Sequence, residues 1–171
     1  MGESMNDKLK IRKNVRLPNY DYSTKGGYFV TICLNQKECI LGNIENDTLI
    51  KNEKNIMVET CLKKINEMYL NVKVDEYVIM PNHIHMIINI LEEGKVKISN
   101  IIQWFKTITT NEYIKGVKEK GWEKFDKKLW QRNYYEHVIR NEKELYEIRK
   151  YIQENPIAWK KDKFYYSDNY M

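Results

Sequence analysis

Two runs rich in apolar and β-branched residues, 72–80 and 83–91, meet at a Pro81-Asn82 break, and this arrangement constrains the fold more than any other part of the chain. Both flanks read as strands, so the segment is expected to form an antiparallel pair or one bent strand. Strand side chains alternate faces. In the second run Ile84, Met86, Ile88 and Ile90 therefore point one way, and His83 and His85 point the other way, side by side. The apolar set can be buried while two imidazoles project from the sheet within reach of one cation.

The rest of the chain supplies a frame for this pair. Residues 28–34, preceded by Gly26-Gly27, read as a strand, and a short strand is expected near 40–44 with a turn at Asn46-Asp47. Met57, Cys61, Leu62, Ile65, Met68 and Tyr69 fall at helical spacing within 54–70, and Ile101, Ile102, Phe105 and Ile108 do so in a helix starting near Ser99. Residues 130–139 hold a last strand. Asn141 stands three residues before Glu144, the layout of an N-cap with its reciprocal partner, and this helix should end near Asn155 because Pro156 disfavours helical geometry before it. The order strand, helix, strand, strand, helix, strand, with a C-terminal helix, predicts an α+β fold: an antiparallel sheet covered by helices on one face. With no internal repeat or low-complexity linker, residues 1–171 are expected to form one domain with its core at about 16–165, a basic N-terminal arm and a short basic-aromatic tail.

Hydrophobic content of 42% beside 31% charged residues fits a globular chain, and the apolar runs are too short to span a membrane. The first residues carry no apolar stretch of the secretory kind, so the expected location is the cytoplasm. Three cysteines, Cys33, Cys39 and Cys61, are odd in number and lack CxxC spacing, which predicts reduced thiols and no zinc site. The net charge of +5 is modest, but its positive residues cluster. One group includes Arg12, Lys13 and Arg16; another runs from Lys115 to Arg132 and is interleaved with Trp122, Phe125, Trp130, Tyr134 and Tyr135. Basic groups neutralise phosphates and aromatics stack on unpaired bases, a mixture suited to single-stranded nucleic acid. Arg12, Lys13, Arg16, Lys106, Trp130, Arg132 and Tyr134 are the candidate DNA contacts, and such contacts predict association with the nucleoid. Glu119, Glu123 and Asp126 dilute the signal, and a solvated lysine-rich face is the other reading.

On the C-terminal helix Leu145, Ile148 and Ile152 form the apolar stripe, with Tyr151 and Asn155 four residues apart along its edge. A helix packed on the sheet would present a phenol and a carboxamide together. If it faces the histidines, Asn155 completes the protein ligands of a cation and Tyr151 is placed to attack a phosphate. Taken singly, the same residues also read as a surface histidine pair, an interfacial tyrosine and a helix terminator.

As an ordered set, Arg16-Leu17-Pro18-Asn19-Tyr20-Asp21-Tyr22, Gly27-Tyr28-Phe29-Val30-Thr31-Ile32, Met80-Pro81-Asn82-His83-Ile84-His85, Phe105-Lys106-Thr107, the stretch from Leu129 to Arg140 and Tyr151-Ile152-Gln153-Glu154-Asn155-Pro156 resemble the REP-associated tyrosine transposases, within the HUH single-tyrosine transposases. The resemblance implies a ferredoxin-like fold and a divalent cation, Mg²⁺ or Mn²⁺. It implies cleavage of single-stranded DNA near a hairpin, leaving a 5′-phosphotyrosine and a free 3′-hydroxyl. His83 and His85 match the HUH pair, Tyr151 the nucleophile and Asn155 the third ligand; Met86 stands where many relatives carry a small residue. Of the competing tyrosines, Tyr134 and Tyr135 better suit packing or DNA contact, with Tyr135 the alternative nucleophile, and His137 suits a structural or DNA-facing role more than that of a ligand. The resemblance leaves open a monomer using its tyrosine in cis or a homodimer exchanging the helix. The competing classes are a DNA-hairpin-binding protein without turnover and a metal-dependent hydrolase using a bound water.

Overall fold

The computed structural model describes residues 17–164. Arg12, Lys13 and Arg16 of the N-terminal arm, and the tail from residue 165, lie outside the described residues. The elements are β1 (Gly26–Cys33), β2 (Asn43–Glu45), β3 (Thr48–Ile50), α1 (Glu53–Met68), β4 (Val72–Ile79), β5 (His83–Ile90), α2 (Ile98–Lys120), β6 (Tyr135–Ile139) and α3 (Glu142–Glu154).

Four strands form one sheet in the order β4-β5-β1-β6, antiparallel throughout. With α1 and α2 as crossovers this is the α+β fold expected from the order of elements, in the ferredoxin-like βαββαβ topology that the resemblance implies. β2 and β3 make a separate hairpin, with Asn46 and Asp47 at φ 48° and 61° in its two-residue turn. That turn chemistry fixes the pairing, so the short strand lies at Asn43–Glu45, against the turn, and not at 40–44.

One face of the sheet carries Tyr28, Val30 and Ile32 of β1 and Ile84, Met86, Ile88 and Ile90 of β5. These residues pack against Val58, Cys61, Leu62 and Ile65 of α1 and Ile98, Ile101, Ile102 and Phe105 of α2. Each such aliphatic side chain contributes about 1.5–3 kcal/mol on full burial, so this layer dominates stability. The opposite face holds a smaller cluster, Phe29 and Ile87 against Ile148 and Ile152 of α3. Helices therefore cover both faces, and the expectation of a single covered face is corrected. Phe29 and Ile87 make the second face apolar where they meet, and the amphipathic α3 needs such a surface.

Local signals set the helix ends. Asn52 Oδ1 accepts the Asn55 N–H at 3.0 Å, and Asn141 Oδ1 accepts the Glu144 N–H at 2.9 Å. Glu144 Oε2 returns to the Arg140 N–H at 2.7 Å, a capping box displaced by one residue. α2 runs to Lys120, so Lys115, Lys118 and Lys120 belong to its last turns, where Lys118 and Lys120 complement the helix dipole. Gly121 ends the helix in the left-handed region at φ 69°.

Gly116 is required by close approach: a Cβ there would meet Trp122 Cε3 at 2.2 Å. Gly116→Ala gains roughly 1 kcal/mol of helix propensity. Displacing the indole costs more, so a net loss of about 1–2 kcal/mol is expected. Urea unfolding checks it; an unchanged midpoint would mean that the ring moves aside freely.

Candidate active site

Alternation along β5 places His83 and His85 on the α3 face, opposite Cys33 and Thr31 of β1. Both rings are buried, with their Nε2 atoms 3.0 Å apart. Asn82 Nδ2 donates to the carbonyls of Lys37 (3.2 Å) and Phe164 (2.7 Å), so its Oδ1 faces His83 Nδ1 at 2.8 Å. His83 must supply the proton of that bond, which leaves a lone pair on Nε2. His85 Nδ1 lies 2.7 Å from Thr31 Oγ1, which can accept its N–H when Nε2 serves as a ligand. Burial pushes His83 down to about 3, and burial with the neighbouring His83 and Lys163 holds His85 well below its ordinary value. Both rings are neutral at pH 7, the form that binds metals.

The packing of α3 brings Tyr151 over this pair, its ring centroid 5.3 Å from His85 and 6.0 Å from Phe29. Burial, and then the charge of Asp162, push the phenol up to about 12. A bidentate ion pair steadies the helix: Arg149 Nε and Nη2 donate to Asp75 of β4 at 3.0 and 2.6 Å. Asn155 caps α3 and is buried; its carboxamide lies against His83, Tyr151 and Asp162 without reaching hydrogen-bond geometry to any of them. A buried amide left unpaired costs about 1–3 kcal/mol.

One residue of the site escaped the sequence reading. Asp162 follows the 3-10 turn Trp159–Lys161, and its Oδ2 is 3.8 Å from His83 Nε2. The ligand atoms of His83, His85 and Asp162 all lie within 4.8 Å of one another. Asp162 belongs to no periodic element. Its only sequence signal is a single acid between Trp159 and Phe164 in a lysine-rich stretch.

These residues fit a divalent cation. Two imidazole nitrogens 3.0 Å apart have the separation of donors each about 2.1 Å from one ion at right angles. The orphaned Asn155 amide and the Asp162 carboxylate add hard oxygen donors of the kind magnesium and manganese take.

The candidate DNA contacts separate in the structure. Trp130 is in the core, its indole N–H donating to Thr109 Oγ1 at 2.8 Å and its ring 6.2 Å from Phe105. The expectation of a base-stacking platform there is corrected: α2 needs a large ring to close its apolar face. Lys106 directs its ammonium to the carbonyls of Gln131, Arg132 and Asn133 at 2.8, 3.2 and 3.4 Å, and burial lowers it to about 8. It props the 131–134 loop with its charge 5.5 Å over the Tyr134 ring. Arg132 is exposed, Tyr134 and Tyr135 are half-buried, and His137 Nε2 pairs with Glu144 Oε1 at 2.5 Å. Cys33 and Cys61 are buried thiols. Among the described residues no helix is long and apolar enough to cross a membrane.

An uncharacterized protein of Haemophilus influenzae is 38% identical over 185 residues, covering 96% of this chain and 99% of its own. A second Haemophilus influenzae protein, provisionally classed as a REP-associated tyrosine transposase, is 33% identical over 82 residues, 46% of each chain. In architecture the chain is similar to a REP-associated tyrosine transposase solved bound to a REP hairpin, with a TM-score of 0.61 at 23% identity over 84% of this chain and 74% of that one. The sequence pattern of the family described as "Transposase IS200 like" matches residues 27–155, from the first core strand through Tyr151 and Asn155, and by that match the chain belongs to the IS200-like transposase family.

Proposed function

We propose that this transposase cleaves and rejoins single-stranded DNA beside hairpin repeats through a covalent 5′-phosphotyrosine on Tyr151. The convergence of three groups carries the reading: the Tyr151 ring lies 5.3 Å from His85, His85 shares its Nε2 contact with His83, and Asn155 lies against both His83 and Tyr151. The tyrosine oxygen forms a bond to the scissile phosphorus as the bond to the 3′-oxygen breaks. The phenol gives up its proton to solvent and the departing 3′-oxygen takes one up, so the strand leaves with a 3′-hydroxyl. The phosphotyrosine conserves bond energy, so a later 3′-hydroxyl can displace Tyr151 and rejoin a strand.

His83, His85 and Asn155 would hold a divalent cation, Mg²⁺ or Mn²⁺, which polarises the phosphate and neutralises developing charge when bound. Asn82 and Thr31 orient the imidazoles, and the apolar seat of α3 holds the phenol beside them. The packing of α3 on the sheet of its own chain supports action in cis. A hairpin partner is supported by the REP hairpin bound to the similar structure. Single strands carrying inverted repeats from the flanks of the coding region form the test. With Mn²⁺ or Mg²⁺ the protein should give an adduct that survives denaturing gels, together with a shorter product ending in a 3′-hydroxyl. Salt-sensitive binding with no cleavage of any hairpin strand would instead mark a binding protein without turnover.

A further inference from the structure

Beyond α3 the chain turns at Pro156 and returns across the histidine pair. Trp159 and Phe164 are buried, with ring centroids 6.1 and 4.5 Å from that of His83, and the Phe164 carbonyl accepts from Asn82. Between these two anchors Asp162 enters the site with its side chain 3% exposed. Its Oδ1 accepts the Phe164 N–H at 2.8 Å, and its Oδ2 faces His83 Nε2 at 3.8 Å.

That contact is not an ion pair. Asn82 takes the Nδ1 proton of His83, so Nε2 carries no proton to offer and its lone pair has His85 Nε2 at 3.0 Å and the carboxylate at 3.8 Å as neighbours. Two electron-rich groups confront each other where repulsion is poorly screened. The adjacent Lys163 lies over the Phe164 ring at 4.9 Å and the Tyr135 ring at 5.9 Å. The confrontation is relieved if a cation shares the donors of His83, His85 and Asp162, which all lie within 4.8 Å of one another.

We infer that Asp162 is a ligand of the divalent cation proposed for His83, His85 and Asn155, a donor supplied from outside the matched family span of residues 27–155. The inference rests on the metal-site reading above. A charged oxygen adds affinity for hard cations such as Mg²⁺ and Mn²⁺. It also ties residues 159–164 to the histidine pair, so cation binding and the docking of this segment are one equilibrium.

The test uses the full chain without DNA, with Mn²⁺ binding read by electron paramagnetic resonance for the wild type, Asp162→Asn and His85→Phe. Asp162→Asn should weaken Mn²⁺ binding by about tenfold or more. Mn²⁺ should slow tryptic cutting after Lys160, Lys161 and Lys163 in the wild type and not in the variant. In EDTA the variant should be at least as stable as the wild type, since it removes a buried repulsion. If Asp162→Asn binds Mn²⁺ like the wild type while His85→Phe does not, the carboxylate is no ligand and the metal site stands. If both variants bind like the wild type, the metal reading itself fails. A variant destabilised in EDTA with unchanged Mn²⁺ affinity would show a structural carboxylate and overturn the inference.

Discussion

Tyr151→Phe is expected to remove the covalent protein–DNA adduct while leaving hairpin affinity within about twofold. Loss of a nucleophile that acts in a concerted set typically costs on the order of 10⁴- to 10⁶-fold in rate. The substitution deletes one oxygen and keeps the ring, which lies edge-on to Phe29 at 6.0 Å and beside His85 at 5.3 Å. The phenol is half-buried, so the fold should lose no more than about 1 kcal/mol. Activity and stability therefore separate, and a thermal melt beside the gel assay shows it. Tyr135→Phe is the matched control: Tyr135 sits on β6, and its loss should leave the adduct intact. An adduct that persists in Tyr151→Phe would move the nucleophile elsewhere. Cleavage that persists without an adduct would point to attack by water and to a hydrolase.

Period governed what could be read before the structure. The histidines of β5 were legible because a strand repeats every two residues, so one glance at Ile84, Met86, Ile88 and Ile90 assigned His83 and His85 to the other face. Tyr151 and Asn155 were legible for the corresponding helical reason. Which face of the sheet α3 would choose was not legible, because its stripe says that it packs and not where. Asp162 was illegible because a turn after Pro156 sets its position, and turns carry no period. Trp130 misled because the same residues mark a stacking surface and a core plug. Its burial against Phe105 and its bond to the Thr109 hydroxyl, 21 positions away, show which role the indole plays. Lys106 is ambiguous in the same way, since a lysine that props carbonyls has the same sequence appearance as one that awaits a phosphate.

His85→Phe should abolish metal-dependent cleavage and also reshape the acid stability of the protein. Partners one shell away from a metal already cost about 10- to 100-fold when removed, so a direct ligand should exceed a hundredfold. Added Mn²⁺ should not restore activity, because phenylalanine offers no donor. In EDTA the same substitution tests the buried histidines by linkage. Both imidazoles hold their folded pKa below the unfolded value, so above pH 6.5 they are neutral in both states and contribute no pH dependence. Below about pH 6.5 the unfolded chain takes up protons that the folded chain refuses, so stability falls with acid by about 1.4 kcal/mol per pH unit for each such ring. For His83 this continues to its folded value of about 3. His85→Phe deletes one of the two rings and leaves the Thr31 hydroxyl without its partner, a cost of about 1–3 kcal/mol at neutral pH. The variant should thus be the weaker protein at pH 7.5, and the gap should narrow or reverse toward pH 4.5. Urea midpoints across that range, in EDTA, read both limbs. Parallel curves would mean that His85 is protonated in the folded state as readily as in the unfolded one, and the neutral pair on which the metal site depends would be lost with that result.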